Sequence, residues 1–240
     1  MMPLSSWKAG HLRKRATQMY RQLGSGAQRH RDILERFCRQ HSLLYLSPTS
    51  AHLIGQLSTD DPERHYHDGA GIGSHAGYEV MIHSYRTTAF FPGFASVPRE
   101  WLEVQIELPC QLPFLFIGNR QQPNAYYAQL LSTHRSAQYL HIACPPALDK
   151  PFHERYAVLA AASDVAYVKA LFDEQNIAAF THRHETIAYH IEGNVLTVLT
   201  QRQKPRIQTL DRLFHAGIWL ADELQKVDQR ATDKHNTARS

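Results

Sequence analysis

The sequence predicts an α+β protein, a largely antiparallel sheet covered by helices, with a basic N-terminal helical arm. Three observations carry that prediction. Several segments alternate apolar and polar residues with the period of a half-buried strand. After Pro205 the pattern switches to a period of 3.6. Over residues 152–227, periodicity, turn chemistry and capping agree with one another.

Within that stretch, residues 155–160 form a short apolar run that reads as a buried strand. Ser163 or Asp164 can accept the free N–H groups of a first helical turn. Val165, Val168, Leu171 and Phe172 then recur at helical spacing, and Asn176 is the stop. Ile187, Tyr189 and Ile191 alternate with Ala188 and His190, Gly193-Asn194 supplies the positive φ angles of a tight turn, and residues 195–199 run back, which predicts a β-hairpin. Beyond Pro205, Ile207, Leu210, Leu213, Phe214, Ile218, Ala221 and Leu224 make one apolar stripe, predicting a long helix laid on the sheet.

The net charge of +4 is unevenly divided. Residues 1–45 hold Lys8, Arg13, Lys14, Arg15, Arg21, Arg29, Arg31, Arg36 and Arg39 against Asp32 and Glu35, so this segment is +7 and the remainder −3. Leu12, Ala16, Met19, Tyr20 and Leu23 have helical spacing, Gly24-Ser25-Gly26 interrupts, and Ile33, Leu34, Phe37 and Cys38 begin a second amphipathic helix. The chain therefore divides into a basic helical arm (1–27), a single α+β domain (28–227) and a tail (228–240) that has nothing to bury and is expected to be disordered.

Between arm and C-terminal stretch the chain reads mostly as strands. Residues 43–46 are a short strand and 47–50 a turn into a helical segment through Leu53, Ile54 and Leu57; residues 58–76, rich in Asp, Pro, Gly and His, read as a surface loop. Tyr78, Val80 and Ile82 alternate with polar neighbours. Leu102, Val104, Ile106 and Leu108 do the same against Glu103, Gln105 and Glu107, which predicts a half-solvated antiparallel strand. The prolines of 108–113 interrupt pairing, and 114–117 resumes as a more buried strand. A short helix over 125–131 and a strand over 139–143 complete the reading, and no repeat is seen.

Composition sets the outer bounds. With 43% hydrophobic and 10% aromatic residues, 240 residues can bury a sizeable core. No window reaches the roughly eighteen uncharged apolar residues of a membrane span, and no apolar core follows the N-terminal charges, so the expectation is a soluble cytoplasmic protein without a conventional export signal. Cys38, Cys110 and Cys144 are an odd number without a CxxC pair, which argues against a disulfide framework.

Sixteen histidines include two His-x-His pairs, His65/His67 and His182/His184. On a strand each pair would point to one side, giving two zinc ligands with Asp68 or Glu185 nearby; a catalytic zinc needs three, and no third is visible. Exposed loop histidines are the simpler reading, and no cofactor is expected. Gly69-Ala70-Gly71-Ile72-Gly73 lacks a preceding hydrophobic strand and a following Gly-Lys-Ser/Thr, so it reads as a flexible loop rather than a phosphate cradle. No Gly-x-Ser-x-Gly is present, and Asp60-Asp61 and Glu103/Glu107 read as solvated acids.

The order of elements resembles an uncharacterised group of bacterial proteins, a domain of unknown function found in actinobacteria and Saccharibacteria-type lineages. The likeness is carried by a helix leading into a short aromatic strand at 36–45 and by the Leu-Pro-x-x-Leu-Pro strand end at 108–113, followed by Phe114-Leu115-Phe116-Ile117-Gly118-Asn119. The pattern of 152–227 completes it. It covers about residues 30–225 and brings no established activity; Ser42-Leu43 stands where glycine-tryptophan is usual. Some members carry membrane spans, so the resemblance implies that the basic N-terminus substitutes here as a peripheral anchor.

These readings converge on a non-enzymatic interaction or scaffold protein with a protein partner. The alternatives are a binder of anionic membrane surfaces or nucleic acid through Arg13, Lys14, Arg15 and Arg21, and a metal-dependent enzyme using the His-x-His pairs.

Overall fold

The computed structural model describes residues 29–47, 69–88, 98–120, 134–183, 187–201 and 206–237. They form a mostly antiparallel sheet with helices, the α+β class the alternation and the long apolar stripe predict. The order is helix α1 (29–40), strands β1 (Leu44–Leu46), β2 (Ala70–His75), β3 (Tyr78–Thr88), β4 (Pro98–Asn119) and β5 (Ala137–Leu140), and helix α2 (Pro146–Arg155). Then come β6 (Tyr156–Ala161), a 3₁₀ turn (Ala162–Asp164), α3 (Val165–Leu171), α4 (Glu174–Arg183), β7 (Ala188–Gln201) and α5 (Ile207–Thr237).

The sheet is built on β4. Its first half pairs with β3 on one side and β7 on the other, from Trp101↔Gln201 to Glu107↔Val195. Its second half keeps β7 (Leu115↔Ile191) and takes β6 (Leu115↔Ala160) in place of β3. β2 and β1 extend the β3 flank, and β5 extends the β6 flank.

Ala188–Gln201 is therefore one long strand, not the hairpin read from Gly193-Asn194. The positive φ is present, at 62° on Gly193, but it serves a bulge opposite Leu112, where the β4–β7 register shifts on both sides. The chain bends there instead of reversing, because the partner strand carries the matching irregularity over its prolines. Ala70–His75, read as part of a loop, is also a strand. Glycine suits it because α1 lies against it: a Cβ at Gly71 would collide with Cys38 Sγ and lie 2.9 Å from Ile82 Cγ2.

α5 is the predicted amphipathic helix, with Leu210, Leu213, Phe214, Ala221 and Leu224 buried and Ile207 and Ile218 packed at the margin. It runs on to Thr237, so residues 228–237 are helical where a disordered tail is expected. Buried Val227, three residues past Leu224, carries the apolar stripe to the start of this extension. α1 buries the expected Leu34, Phe37 and Cys38. Burial pushes the Cys38 thiol up to about 12, the state of an inert core sulfur.

Two helices escape the sequence reading. α2 begins at a proline, which needs no donor in the first turn, and holds Pro151 inside. α4 is preceded by Asp173, whose carboxylate accepts the Asn176 N–H at 2.8 Å. Asn176, read as a stop, is buried and donates to Leu171 O at 2.9 Å, so it ends α3 and begins α4. Neither Ser163 nor Asp164 makes a side-chain cap on α3.

If the glycines of β2 exist to admit α1, Gly71→Val should lower unfolding stability by about 1–3 kcal/mol through overpacking. Gln208→Ala, on the exposed side of α5, should change it by no more than about 0.5 kcal/mol. Chemical denaturation of both variants measures this, and equal midpoints would remove the packing role from Gly71.

Candidate functional site

Most of the residues singled out in the sequence are not among the described ones. Arg13, Lys14, Arg15, Arg21, His65, His67 and His184 lie outside the described residues, as do Asp60 and Asp61. His182 is exposed in α4, a helix rather than the strand assumed for it.

The chemistry the structure does gather begins on the sheet face opposite α5. Strand alternation places Met81, His83, Glu103, Gln105 and Leu199 on that face, while Ile82, Val104 and Val198 point into the main core. His83 and Glu103 are cross-strand partners and both are buried, at 0% and 1% exposure, with Nε2 and Oε1 3.8 Å apart. Gln105 Nε2 donates to the same Glu103 oxygen at 2.6 Å. Glu103 is thus not the solvated acid its alternating strand implied; Glu107, four residues on, is exposed. Period two gives the face of a residue but not what covers that face.

Beside this buried pair lies a groove of about 590 Å³, lined by Leu44, Ile72, Met81 and Val195 with Glu79 and Glu107 at its polar positions. Leu44, on the short β1, is 62% exposed. Ser74 donates to Glu79 and Asn194 to Glu107, so both carboxylates are held in place by neighbouring strands.

Three histidine clusters form where elements meet. At the junction of α1, β2 and α5, the His41 ring packs on Phe37 and Phe214 and its Nε2 lies 2.9 Å from Asp211 Oδ1. His75 and His215 stand 5.9 and 6.0 Å from it, centroid to centroid. On β7, His190 and Glu192 share a side with His134, which stacks on Phe114 at 3.9 Å. Around α2, the donor atoms of His141, Asp149 and His153 lie within 4.8 Å of one another. Asp149 and His153 have a local signal, the i,i+4 spacing of neighbours on a helix, which Pro145, Pro146 and Pro151 mask. His190 and Glu192 have one too, the i,i+2 spacing of a strand, but nothing in the sequence calls for His134.

No family model and no curated protein matches the chain. Among solved structures, it is similar to the crystal structure of the mycobacterial trehalose monomycolate transport factor A, TtfA. The TM-score is 0.50 at 10% sequence identity, over 82% of this chain and 93% of that one. At that identity the likeness is one of fold. Among the described residues no helix is long and apolar enough to cross a membrane.

The first cluster has a pH consequence. Burial, then the charges of His41 and His215, hold His75 below 6.5. The folded value lies below the unfolded one, so the unfolded chain takes up the proton first and the stability tied to neutral His75 is lost as pH falls below 6.5. Thermal midpoints measured from about pH 7.5 to about pH 5.5 should fall, and His75→Gln should flatten that slope. An unchanged slope would take His75 out of the acid response.

Proposed function

We propose that this chain is a non-enzymatic accessory protein that acts by binding a protein partner, whose basic, apolar-bearing segment lies in the groove on the sheet face opposite α5. The groove carries the proposal: four apolar side chains, including an exposed Leu44, stand beside two oriented carboxylates. Exposed apolar surface framed by fixed charge is the composition of a recognition site, since the apolar area supplies affinity and the acids select a basic ligand. The short edge strand β1 borders it, offering backbone groups to an extended peptide. The fold likeness to a protein described as a transport factor is consistent with an accessory role.

A photo-crosslinking residue placed at Met81 should capture discrete partner peptides in the producing cell, and one placed at the exposed Glu154 of α2 should not. Glu79→Lys with Glu107→Lys should suppress capture at position 81. Equal capture at both positions, or capture unaffected by charge reversal, would defeat the reading.

A second reading is favoured by the +7 of residues 1–45, separated at Gly24-Ser25-Gly26. Here Arg13, Lys14, Arg15 and Arg21 hold an anionic membrane surface or nucleic acid. Replacing Arg13, Lys14 and Arg15 by glutamine should lower partitioning onto anionic vesicles roughly a hundredfold and leave neutral vesicles unaffected, at about 1 kcal/mol per charge. With nucleic acid the log–log salt slope should flatten by nearly three units. A wild-type chain that binds neither at low salt excludes this reading.

A further inference from the structure

We propose that His141, Cys144, Asp149 and His153 form a binding site for a zinc ion, closing the connection between β5 and β6. The four residues fall within one short segment, 141–153, whose second part is the helix α2. That helix is anchored by Phe152, which is fully buried next to His153.

The distances fit a tetrahedral centre. With metal–ligand bonds of about 2.0–2.3 Å, two ligand atoms of a tetrahedral zinc stand roughly 3.3–3.6 Å apart. His153 Nε2 lies 3.6 Å from Asp149 Oδ1 and 3.8 Å from Cys144 Sγ. His141, Asp149 and His153 offer atoms that all lie within 4.8 Å of one another. The His141 and His153 rings are stacked, with centroids 4.5 Å apart and planes at 13°; an imidazole holds a metal in its own ring plane, so the exposed His141 ring turns out of the stack on binding. Cys144 Sγ stands 3.8 Å from His153 Nε2 but outside that set of three, so the Cys144 and His141 side chains rotate toward the Asp149–His153 pair to close the centre.

The protons fit as well. The Ile142 carbonyl can only accept, so both His153 Nε2–H, at 2.8 Å, and the Cys144 thiol, at 3.4 Å, donate to it. A metal would take these same two atoms along the directions in which they now donate, so binding also turns Nε2 and Sγ away from the Ile142 carbonyl. On binding, the thiol proton passes to solvent and the imidazole proton moves by way of water to Nδ1, leaving Nε2 as a neutral ligand. One thiolate and one carboxylate then balance the two positive charges of the ion, and two neutral imidazoles complete the shell. Because the thiol must lose its proton to bind, affinity should increase with pH.

A sulfur, two nitrogens and a carboxylate oxygen are a donor set for zinc rather than for magnesium or calcium, which prefer all-oxygen shells. Four protein ligands leave no open position, so the site is structural and holds residues 141–144 against α2. The second histidine cluster, His134, His190 and Glu192, has no thiol and draws on elements distant in sequence. It serves as the internal comparison.

The test uses the full chain purified without a histidine tag and titrated with Zn²⁺ and with Co²⁺. One equivalent should bind, and the cobalt form should show the near-ultraviolet sulfur-to-metal charge-transfer absorption that requires a thiolate. Cys144→Ser should abolish that absorption. His141→Gln, at an exposed position that folding does not depend on, should weaken zinc binding by at least the roughly 10- to 100-fold that the loss of an outer-shell partner costs. His134→Gln with His190→Gln should leave both readouts unchanged. The proposal is overturned if the wild-type chain binds neither ion, if its cobalt form lacks the sulfur band, or if the His134/His190 variant is the one that loses the metal.

Discussion

The close approach of α5 to the β4–β7 ribbon is the contact on which the other elements depend. A Cβ at Gly217 would lie 2.7 Å from Ile106 Cδ1 and 3.1 Å from Val198 Cγ2, so the helix rests with its backbone nearly on the sheet. Leu213, Phe214, Leu220, Ala221 and Leu224 fill the space on either side and are buried. Such depth of contact makes the core continuous from α1 to α3, since Phe214 meets Phe37 edge-on at 5.6 Å and Val168 and Leu171 belong to the same cluster. Polar groups secure the seating: Tyr78, on β3, donates to Asp222 of α5 at 2.9 Å. Burial first, and then that bond, raise the Tyr78 hydroxyl far above its ordinary value, so it stays a donor throughout the physiological range.

Because α5 covers one face of the sheet, the groove and the histidine clusters are left to the other face and to the ends of the strands. The groove beside Met81 lies on that other face, and the histidine clusters lie at element junctions. This arrangement has a physical logic. A histidine ring can fill an apolar gap with one side and present a nitrogen with the other, and His41 does so, packed on Phe37 and Phe214 with Nε2 turned to Asp211. The abundance of histidine thus reflects several local uses. His83 is a further case, buried against Glu103, where a charged or hydrogen-bonded partner is needed to offset the loss of water.

The bend in the ribbon shows how two local irregularities combine. Pro109 and Pro113 cannot donate to a ladder, and Gly193 alone adopts φ of 62° at low cost; each would weaken a strand placed against a regular partner. Set opposite each other, they let β4 and β7 stay paired through a change of direction. That change is also where β4 exchanges β3 for β6 on its other edge. The fold is therefore one sheet with two flanks, and the groove and the α2 cluster belong to different flanks.

By itself the sequence determined the elements whose pattern is local and long: the α5 stripe, the Leu34–Phe37–Cys38 face of α1, the alternation of β3 and β4, and the apolar run of β6. In each, the spacing of side chains along one element already states which of them must leave water. Tertiary structure decided the rest. Gly193 could turn the chain or bulge it, and only the opposing irregularity in β4 selected the bulge. The glycines of β2 could be a loop or a strand, and pairing with β1 and β3 selected the strand, with Cys38 standing where a Cβ at Gly71 would lie. Glu103 could be wet or dry, because period two fixes the face of a residue and not what lies over it. The histidines grouped according to which junctions the folded chain brought together, and for His134 no pattern of spacing contains that information, since its neighbours come from another strand.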